Sequence, residues 1–345
     1  MRFIIASSFV PFIYGGGTFI VDWLHSKLVE AGHEVETIFL PFVEHQDAMF
    51  EQMLSYRLLD LTEAADCLIA LRPPAYLLRH PNKKLWFIHH FRFFYDLWQT
   101  EYCHHKDNAR NNEFRKRVMD ADEVGFSESK HIYTNSQIVA NRLQKFNAVE
   151  GEVLYPPVIK PEIFQCQDYQ PTIVCVCRLE GHKRQELLVE AMRYTKSNAK
   201  LILAGKGSSD YLPNKLKMKV LDYGLKNKVE IRDRWISEQE KADLFNHCRA
   251  AAYLPYDEDS YGYPSLEAQH ASKAVISTTD SGGVPELIEH RKNGLLVEPT
   301  PVALAAAIDE LVEDRALAER LGQAGPARIA ELDITWDRVI RKMAA

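Results

Sequence analysis

AAAYLPYDEDSYGYPSLEAQHASKAVIST, residues 250–278, decides how the rest of the chain is read. Its first seven residues are an apolar run of strand length, and the next six form an acidic loop that closes on Gly262. Pro264, expected at the first helical position, then opens a helix through Ser265, Leu266 and Glu267 that leads into a second apolar run, AVIST. Proline suits a first helical turn because the N–H it lacks would have no intrahelical partner there. Strand, loop, helix and strand in that order make a βαβ unit, which builds a parallel sheet covered by helices.

The same alternation extends in both directions. Around this stretch lie TIVCVCRL, AKLILAG, KVEIRD and GLLVEP, with helical patterns such as HKRQELLVEAMRY between them. The first half repeats the arrangement with the strand-like runs FIIASSFV, HEVETIFL, CLIAL, KLWFIHH, EVGFS and HIYTNS, and a helix over Phe19–Ala31 that Gly32 ends. The expected fold is α/β, two Rossmann-like doubly wound domains facing each other across a cleft. The boundaries read as 1–157 for the N-terminal domain, 158–170 for a linker kept irregular by Pro156, Pro157 and Pro161, and 171–330 for the C-terminal domain. A C-terminal helix, 331–345, capped by Thr335, is free to return to the first domain.

With 345 residues, 46% hydrophobic and 26% charged, the chain has the composition of a globular protein long enough for two domains. Its net charge of −6 and lack of basic blocks disfavour nucleic acid, which demands a dense cationic face. Six cysteines without a CxxC pair argue against a structural zinc or a disulfide framework and for a reducing compartment. Cys175 and Cys177, two apart on a strand, share a face and read as packing residues. MRFIIASSFVPFIYGGG reads as a buried strand running into a glycine turn rather than as a signal peptide, and no apolar run reaches the ~20 residues of a membrane span. The expectation is a soluble cytoplasmic protein, at most peripheral at the inner face of a membrane.

In open α/β sheets ligands bind beyond the carboxyl ends of the strands. Four clusters lie at such ends. In the first, Asp259 and Glu267, eight positions apart, flank a helix start whose free N–H groups suit a phosphate or a sugar hydroxyl. In the second, Arg178 ends a strand and Lys183 opens the next helix; each cation at about 4 Å from a diphosphate is worth up to ~4 kcal/mol at an effective dielectric near 20. The third is the glycine run Gly15, Gly16 and Gly17, which lets a backbone approach a ligand but does not meet the GxGxxG dinucleotide pattern. The fourth is the strand end His89–His90, where spacing alone makes the two histidines equal candidates for a substrate contact. The aromatic run Trp86 to Trp98 reads as helix core and cleft lining, His104 and His105 beside Cys103 as loop residues, and the DED at 257–259 as loop acids rather than a metal site.

DSYGYPSLEA followed by SGGVPELIEHRKNGLLVEP, together with CRLEGHKRQELLVEA, IYTNSQIVANRLQKF and VLYPPV, resembles the glycosyltransferases of family 4 over nearly the whole chain. These are retaining, nucleotide-sugar-dependent enzymes of the GT-B fold. The resemblance implies an acceptor-side N-terminal domain and a nucleotide-sugar-binding C-terminal domain. It implies that Glu267 binds the ribose hydroxyls, Asp259 contacts the donor sugar, and the backbone of Tyr261, Gly262 and Tyr263 faces sugar and phosphate. Arg178 and Lys183 would hold the diphosphate, Gly15 to Gly17 border it, and Gly205 and Trp235 flank the base. His89 takes the place of the family's active-site histidine. One departure stands out: the family's first Glu is Asp259 here, and Glu258 replaces it only with a one-residue shift of register.

The implied activity is retaining, metal-independent transfer of a sugar from a nucleotide diphosphate donor, with no further cofactor, to a glycan, lipid-linked or small-molecule acceptor. A sugar-nucleotide epimerase of the same architecture and a non-catalytic nucleotide-sugar-binding protein are the alternatives; incubation with donor alone distinguishes the first, and donor binding without turnover the second.

Overall fold

Strands and helices alternate from end to end in the computed structural model, which describes residues 1–11, 16–100, 103 and 105–345. Two units result: Met1–Pro156 with Ile334–Ala345, and Pro157–Asp333. The first contains β1 (Arg2–Phe9), α1 (Gly16–Glu30), β2 (Glu34–Pro41), α2 (Gln46–Leu58), β3 (Cys67–Ala70), β4 (Lys83–Phe87), α3 (Ala109–Ser127), β5 (His131–Thr134), α4 (Gln137–Asn147) and β6 (Glu152–Val153). The second follows with β7 (Thr172–Val176), α5 (Gln185–Ala191), β8 (Lys200–Ala204), α6 (Tyr211–Asp222), β9 (Val229–Arg232), α7 (Glu238–His247), β10 (Ala250–Ala252), α8 (Tyr263–His270), β11 (Ala274–Thr278), α9 (Val284–Leu287), β12 (Gly294–Val297), α10 (Pro301–Glu313), α11 (Arg315–Gln323) and α12 (Gly325–Glu331). A last helix, α13 (Trp336–Ala344), rejoins the first unit.

In the first unit the six parallel strands run in the order β2-β1-β3-β4-β5-β6. Alternation along β1 sends Phe3 and Ile5 to the face covered by α1 and α13, and Ile4 and Ala6 to the opposite face. Val339 and Met343 of α13 are fully buried on the first of these faces. The last carbonyls of α13 are held by a buried lysine: Lys84 Nζ donates to Lys342 O, Met343 O and Ala345 O at 3.1, 2.9 and 2.8 Å. Thr335 caps the other end, its Oγ1 accepting from Arg338 N at 3.2 Å.

The second sheet has the order β12-β11-β10-β7-β8-β9, again all parallel. In strand order this is the Rossmann arrangement, with its reversal point between β7 and β10. One core of Ile, Leu, Val and Ala side chains from β7, β8, β10, β11, α5, α10 and α11 fills one face.

Four readings of the sequence differ from the structure. EVGFS, expected as a strand, is the end of α3: Gly125 lies against the Tyr76 ring, where a Cβ would meet Cδ2 at 2.5 Å. The aromatic run after β4 is no α-helix but a single 3-10 turn at Arg92–Phe94. Pro264 occupies the second rather than the first position of α8. The expected linker 158–170 packs onto the second unit, because Asn246 binds it from both sides: Gln165 N donates to Asn246 Oδ1 at 2.7 Å, and Asn246 Nδ2 donates to Ile163 O at 3.0 Å. The second unit also keeps α12, so the return to the first begins at Ile334.

Candidate functional site

The reversal point of the second sheet brings the segments after β7 and β10 side by side. Lys183 closes a 3-10 turn, Gly181–Lys183, and is only 8% exposed. Its Nζ donates to Tyr253 OH at 2.9 Å and pairs with Glu258, to which Tyr253 OH also donates at 3.2 Å. Burial pushes the Glu258 carboxyl up, but Lys183, His182 and Tyr253 outweigh it and hold the group below the ordinary carboxylate range. Burial and the Glu258 charge drive the Tyr253 phenol well above its usual value, so it stays protonated and donates. An ammonium has three N–H donors, and two are taken here; the third is left for a ligand.

Arg184 binds the surrounding loops together. It adopts a left-handed backbone conformation (φ 54°) and pairs bidentately with Asp280 at 2.7 and 2.8 Å. It also donates to Leu254 O, Pro255 O and Thr278 Oγ1 at 2.6, 2.9 and 2.7 Å. Glycines allow the same loops to close. Gly282 (φ 62°) would place a Cβ 2.3 Å from the backbone of Glu258, and Gly262 (φ 71°) would place one 2.3 Å from the Tyr253 ring.

Gly262 caps α8, its carbonyl accepting from Ser265 N and Leu266 N at 3.1 and 3.4 Å, and the first turn of the helix carries a partial positive charge. Ser265 Oγ in that turn is buried and has no hydrogen-bond partner in the structure. Glu267, 1% exposed, accepts from Lys241 Nζ of α7 at 2.5 Å. Burial raises its carboxyl above the usual range even though Lys241 opposes the shift. Lys241 in turn is held above its normal value, since Glu267 and Glu238 outweigh its own burial.

The other sequence-derived candidates fall as follows. Arg178 is exposed, and its guanidinium makes no ion pair among the described residues. Asp259 is half-buried beside Glu258, and it is Glu258 that engages Lys183. Tyr261 is 1% exposed and Tyr263 begins α8. Gly205 is a packing glycine: with φ 149°, its Cβ would lie 2.0 Å from Cys177 O. Trp235 is 62% exposed.

In the N-terminal unit, Gly15 and His104 lie outside the described residues, Gly16 begins α1, and Gly17 sits against Arg72, whose Cδ a Cβ would meet at 3.3 Å. The two histidines separate clearly. His90 is core: it is 2% exposed, its Nε2 lies 2.9 Å from Asn147 Oδ1, and its ring packs on Phe87 and Tyr95. His89 is half-buried, with Nδ1 2.7 Å from His90 O. A carbonyl only accepts, so Nδ1 carries the proton and Nε2 keeps its lone pair. Burial, then Arg72, push His89 down to about 4, which leaves it neutral at physiological pH. His105 stacks on Phe94 with ring centroids 5.0 Å apart.

Sequence reasoning missed Tyr253, Arg184, Asp280, Lys241 and Arg72. Arg184 was visible as a third cation in GHKRQ; the others act through partners far away in the chain.

Residues 160–328 match the family model described as glycosyl transferases group 1. The chain is 28% identical over 287 residues to human alpha-1,3/1,6-mannosyltransferase ALG2, covering 75% of this chain and 66% of that one. It is 33% identical over 185 residues to the GDP-mannose-dependent alpha-(1-6)-phosphatidylinositol monomannoside mannosyltransferase of Mycobacterium tuberculosis, covering 51% and 46%. It therefore spans between under half and about two thirds of the length of these relatives. Among solved structures, sucrose-phosphate synthase from Thermosynechococcus elongatus superposes with a TM-score of 0.77 at 18% identity over 99% of this chain and 97% of that one. HepE of Anabaena, solved in complex with UDP, gives 0.76 at 16% identity over 100% and 98%. At these identities the likeness shows the fold, that of the GT-B glycosyltransferases.

Proposed function

We propose that this chain, whose residues 160–328 match the glycosyl transferases group 1 family model, moves a hexosyl group from a nucleoside diphosphate sugar to a glycan or lipid-linked acceptor, with retention at the anomeric carbon and without a metal. The observation that carries this reading is the Lys183–Glu258–Tyr253 cluster at the reversal point of the second sheet, which leaves one ammonium N–H for a ligand.

As the glycosidic bond breaks, negative charge grows on the leaving diphosphate. Lys183 and Arg178, together with the partial positive charge at the start of α8, stabilise that charge, the task a divalent cation performs in other transferases. Glu258 and Tyr253 keep Lys183 fixed, so little reorganisation is needed during the reaction. Glu267 accepts from the ribose hydroxyls through the oxygen that Lys241 leaves available, and Asp259 accepts from the donor sugar. Exposed Trp235 offers a face to the base. The N-terminal unit takes the acceptor; neutral His89, with an Nε2 lone pair, accepts from a sugar hydroxyl there. Mannose is the favoured sugar and GDP the favoured carrier, since the relatives quoted are named as mannosyltransferases and one as GDP-mannose-dependent. Among the described residues no helix is long and apolar enough to cross a membrane, so a lipid-linked acceptor would be met by peripheral contact.

The test is incubation with GDP-mannose and with UDP-glucose, in EDTA, with dolichol- or inositol-linked acceptors. Nucleoside diphosphate should be released with an α-configured product by NMR, at an EDTA-independent rate. An inverted product or a rate that depends on added metal contradicts the proposal.

A further inference from the structure

Cys175 and Cys177 take no part in the reaction described above, yet they lie beside the groups that do. Cys175 is 1% exposed near the end of β7, and Cys177 is half-buried just beyond it. Their Sγ atoms are 3.8 Å apart. Gln185, fully buried at the start of α5, donates from Nε2 to Cys177 Sγ at 3.1 Å and to Arg178 O at 2.7 Å, while its own Oε1 has no partner. One amide thus ties a thiol to the backbone of a cation assigned to the diphosphate.

We propose that Cys175 and Cys177 form a reversible dithiol–disulfide site, oxidised by hydrogen peroxide, whose closure draws Cys177 away from Gln185, frees the Arg178 backbone and weakens donor binding. The chemistry of the disulfide stands on these sulfurs alone; its effect on the donor rests on the function proposed above.

The environments of the two thiols divide the roles. Hydrogen bonding from Cys175 favours the Cys177 thiolate, and with help from Lys183 and Gln185 it prevails over burial, so the Cys177 thiol lies below its ordinary value. The same contact and burial hold the Cys175 thiol well above its own. The Cys177 thiolate attacks one peroxide oxygen, the O–O bond breaks, and the departing hydroxide takes a proton to become water. Cys175 sulfur then attacks the Cys177 sulfenic sulfur, loses its proton and releases a second water. Two thiols and one peroxide give one disulfide and two waters. Bonding brings the sulfurs together by about 1.8 Å, to the disulfide length of about 2.05 Å. The Cys177 backbone is held on its other side, since its N–H donates to Ala204 O at 3.1 Å and its carbonyl lies where a Cβ on Gly205 would clash. Its side chain therefore makes the movement, and the Gln185 contact is lost.

The test uses the full chain, with Cys166→Ser as a parallel background because that exposed cysteine is close in sequence. Protein is treated with peroxide and then catalase, mapped by mass spectrometry, and titrated calorimetrically with GDP and UDP before oxidation, after it and after dithiothreitol. The expected result is a loss of about 2 Da localised between Cys175 and Cys177, a rise in nucleotide Kd of about tenfold or more, and recovery of both on reduction. Cys175→Ala should bind nucleotide normally when reduced and, when oxidised, give a dimedone-trapped Cys177 without the disulfide. Absence of the disulfide, or a disulfide with unchanged Kd, overturns the proposal. If reduced protein binds neither nucleotide, the donor site itself is wrong and the affinity effect falls with it, whereas the mass change still judges the thiol chemistry.

Discussion

Replacing Lys183 with alanine perturbs two things that the structure allows to be separated. The ammonium is lost from the diphosphate, a Coulombic contribution of up to about 4 kcal/mol at 4 Å and an effective dielectric near 20. If it acts on the leaving group in the transition state, kcat/KM falls about 10³-fold. Glu258 is also left without its cation, retaining the Tyr253 hydroxyl and the weaker influence of His182. Removing one partner of a buried ion pair costs about 3–5 kcal/mol. The two side chains here are 10% and 25% exposed, which puts the expected loss of stability lower, at about 2–3 kcal/mol. Adding Glu258→Gln to Lys183→Ala removes the uncompensated charge and should restore at least half of that stability in urea denaturation, while turnover stays low. The assay is nucleoside diphosphate release on protein verified as folded by circular dichroism. A folded Lys183→Ala variant within tenfold of normal kcat/KM, or a double variant that regains turnover along with stability, refutes the assignment of this lysine to the diphosphate.

Other perturbations give distinct signatures. Glu267→Gln keeps side-chain volume but ends the charge pairing with Lys241 (2.5 Å), so steady-state kinetics should show a donor KM raised about tenfold or more. Gly282→Ala forces a Cβ to within 2.3 Å of the Glu258 backbone at φ 62°, and should cost about 2 kcal/mol by chemical denaturation together with most of the turnover. Gly224→Ala, at φ 67° with nothing within 4 Å, should cost about 1 kcal/mol and leave turnover unchanged. In the N-terminal unit, burial pushes the Asp122 carboxyl up to about 7 although Tyr76 and Tyr95 both donate to it. The folded protein then holds a proton that the unfolded chain releases near pH 4, so this group's contribution is greatest below pH 4 and is lost as pH rises through 7. Unfolding free energies measured from pH 4 to pH 8 should fall by up to about 4 kcal/mol more in the parent than in Asp122→Asn.

All strands of both sheets except the short edge strand β6 could be read from the sequence because parallel strands covered on both faces leave continuous apolar runs, and TIVCVCRL and AKLILAG show them plainly. EVGFS misled for the same reason: a helix end with apolar residues around Gly125 looks like a short buried strand until the Tyr76 ring against that glycine is seen. The prolines after Tyr155 correctly imply irregular backbone, but irregular is not unattached, and the side chain that fastens the segment is Asn246, more than 80 residues further along. The site divides along the same line. Arg178, Lys183, Gly262 and Glu267 were legible from their positions at strand ends and a helix start. Their partners were not: Lys241 is 26 residues from Glu267 and Tyr253 is 70 from Lys183, and no local spacing encodes such contacts. The choice between His89 and His90 likewise needed the aromatic cage around His90.

The most direct test is a crystal structure of the reduced protein with bound GDP. The β-phosphate is expected within hydrogen-bonding distance of Lys183 Nζ and Arg178, close to the first turn of α8, with the ribose hydroxyls on Glu267. A diphosphate bound to other residues, with Lys183 still turned wholly to Glu258 and Tyr253, would contradict it.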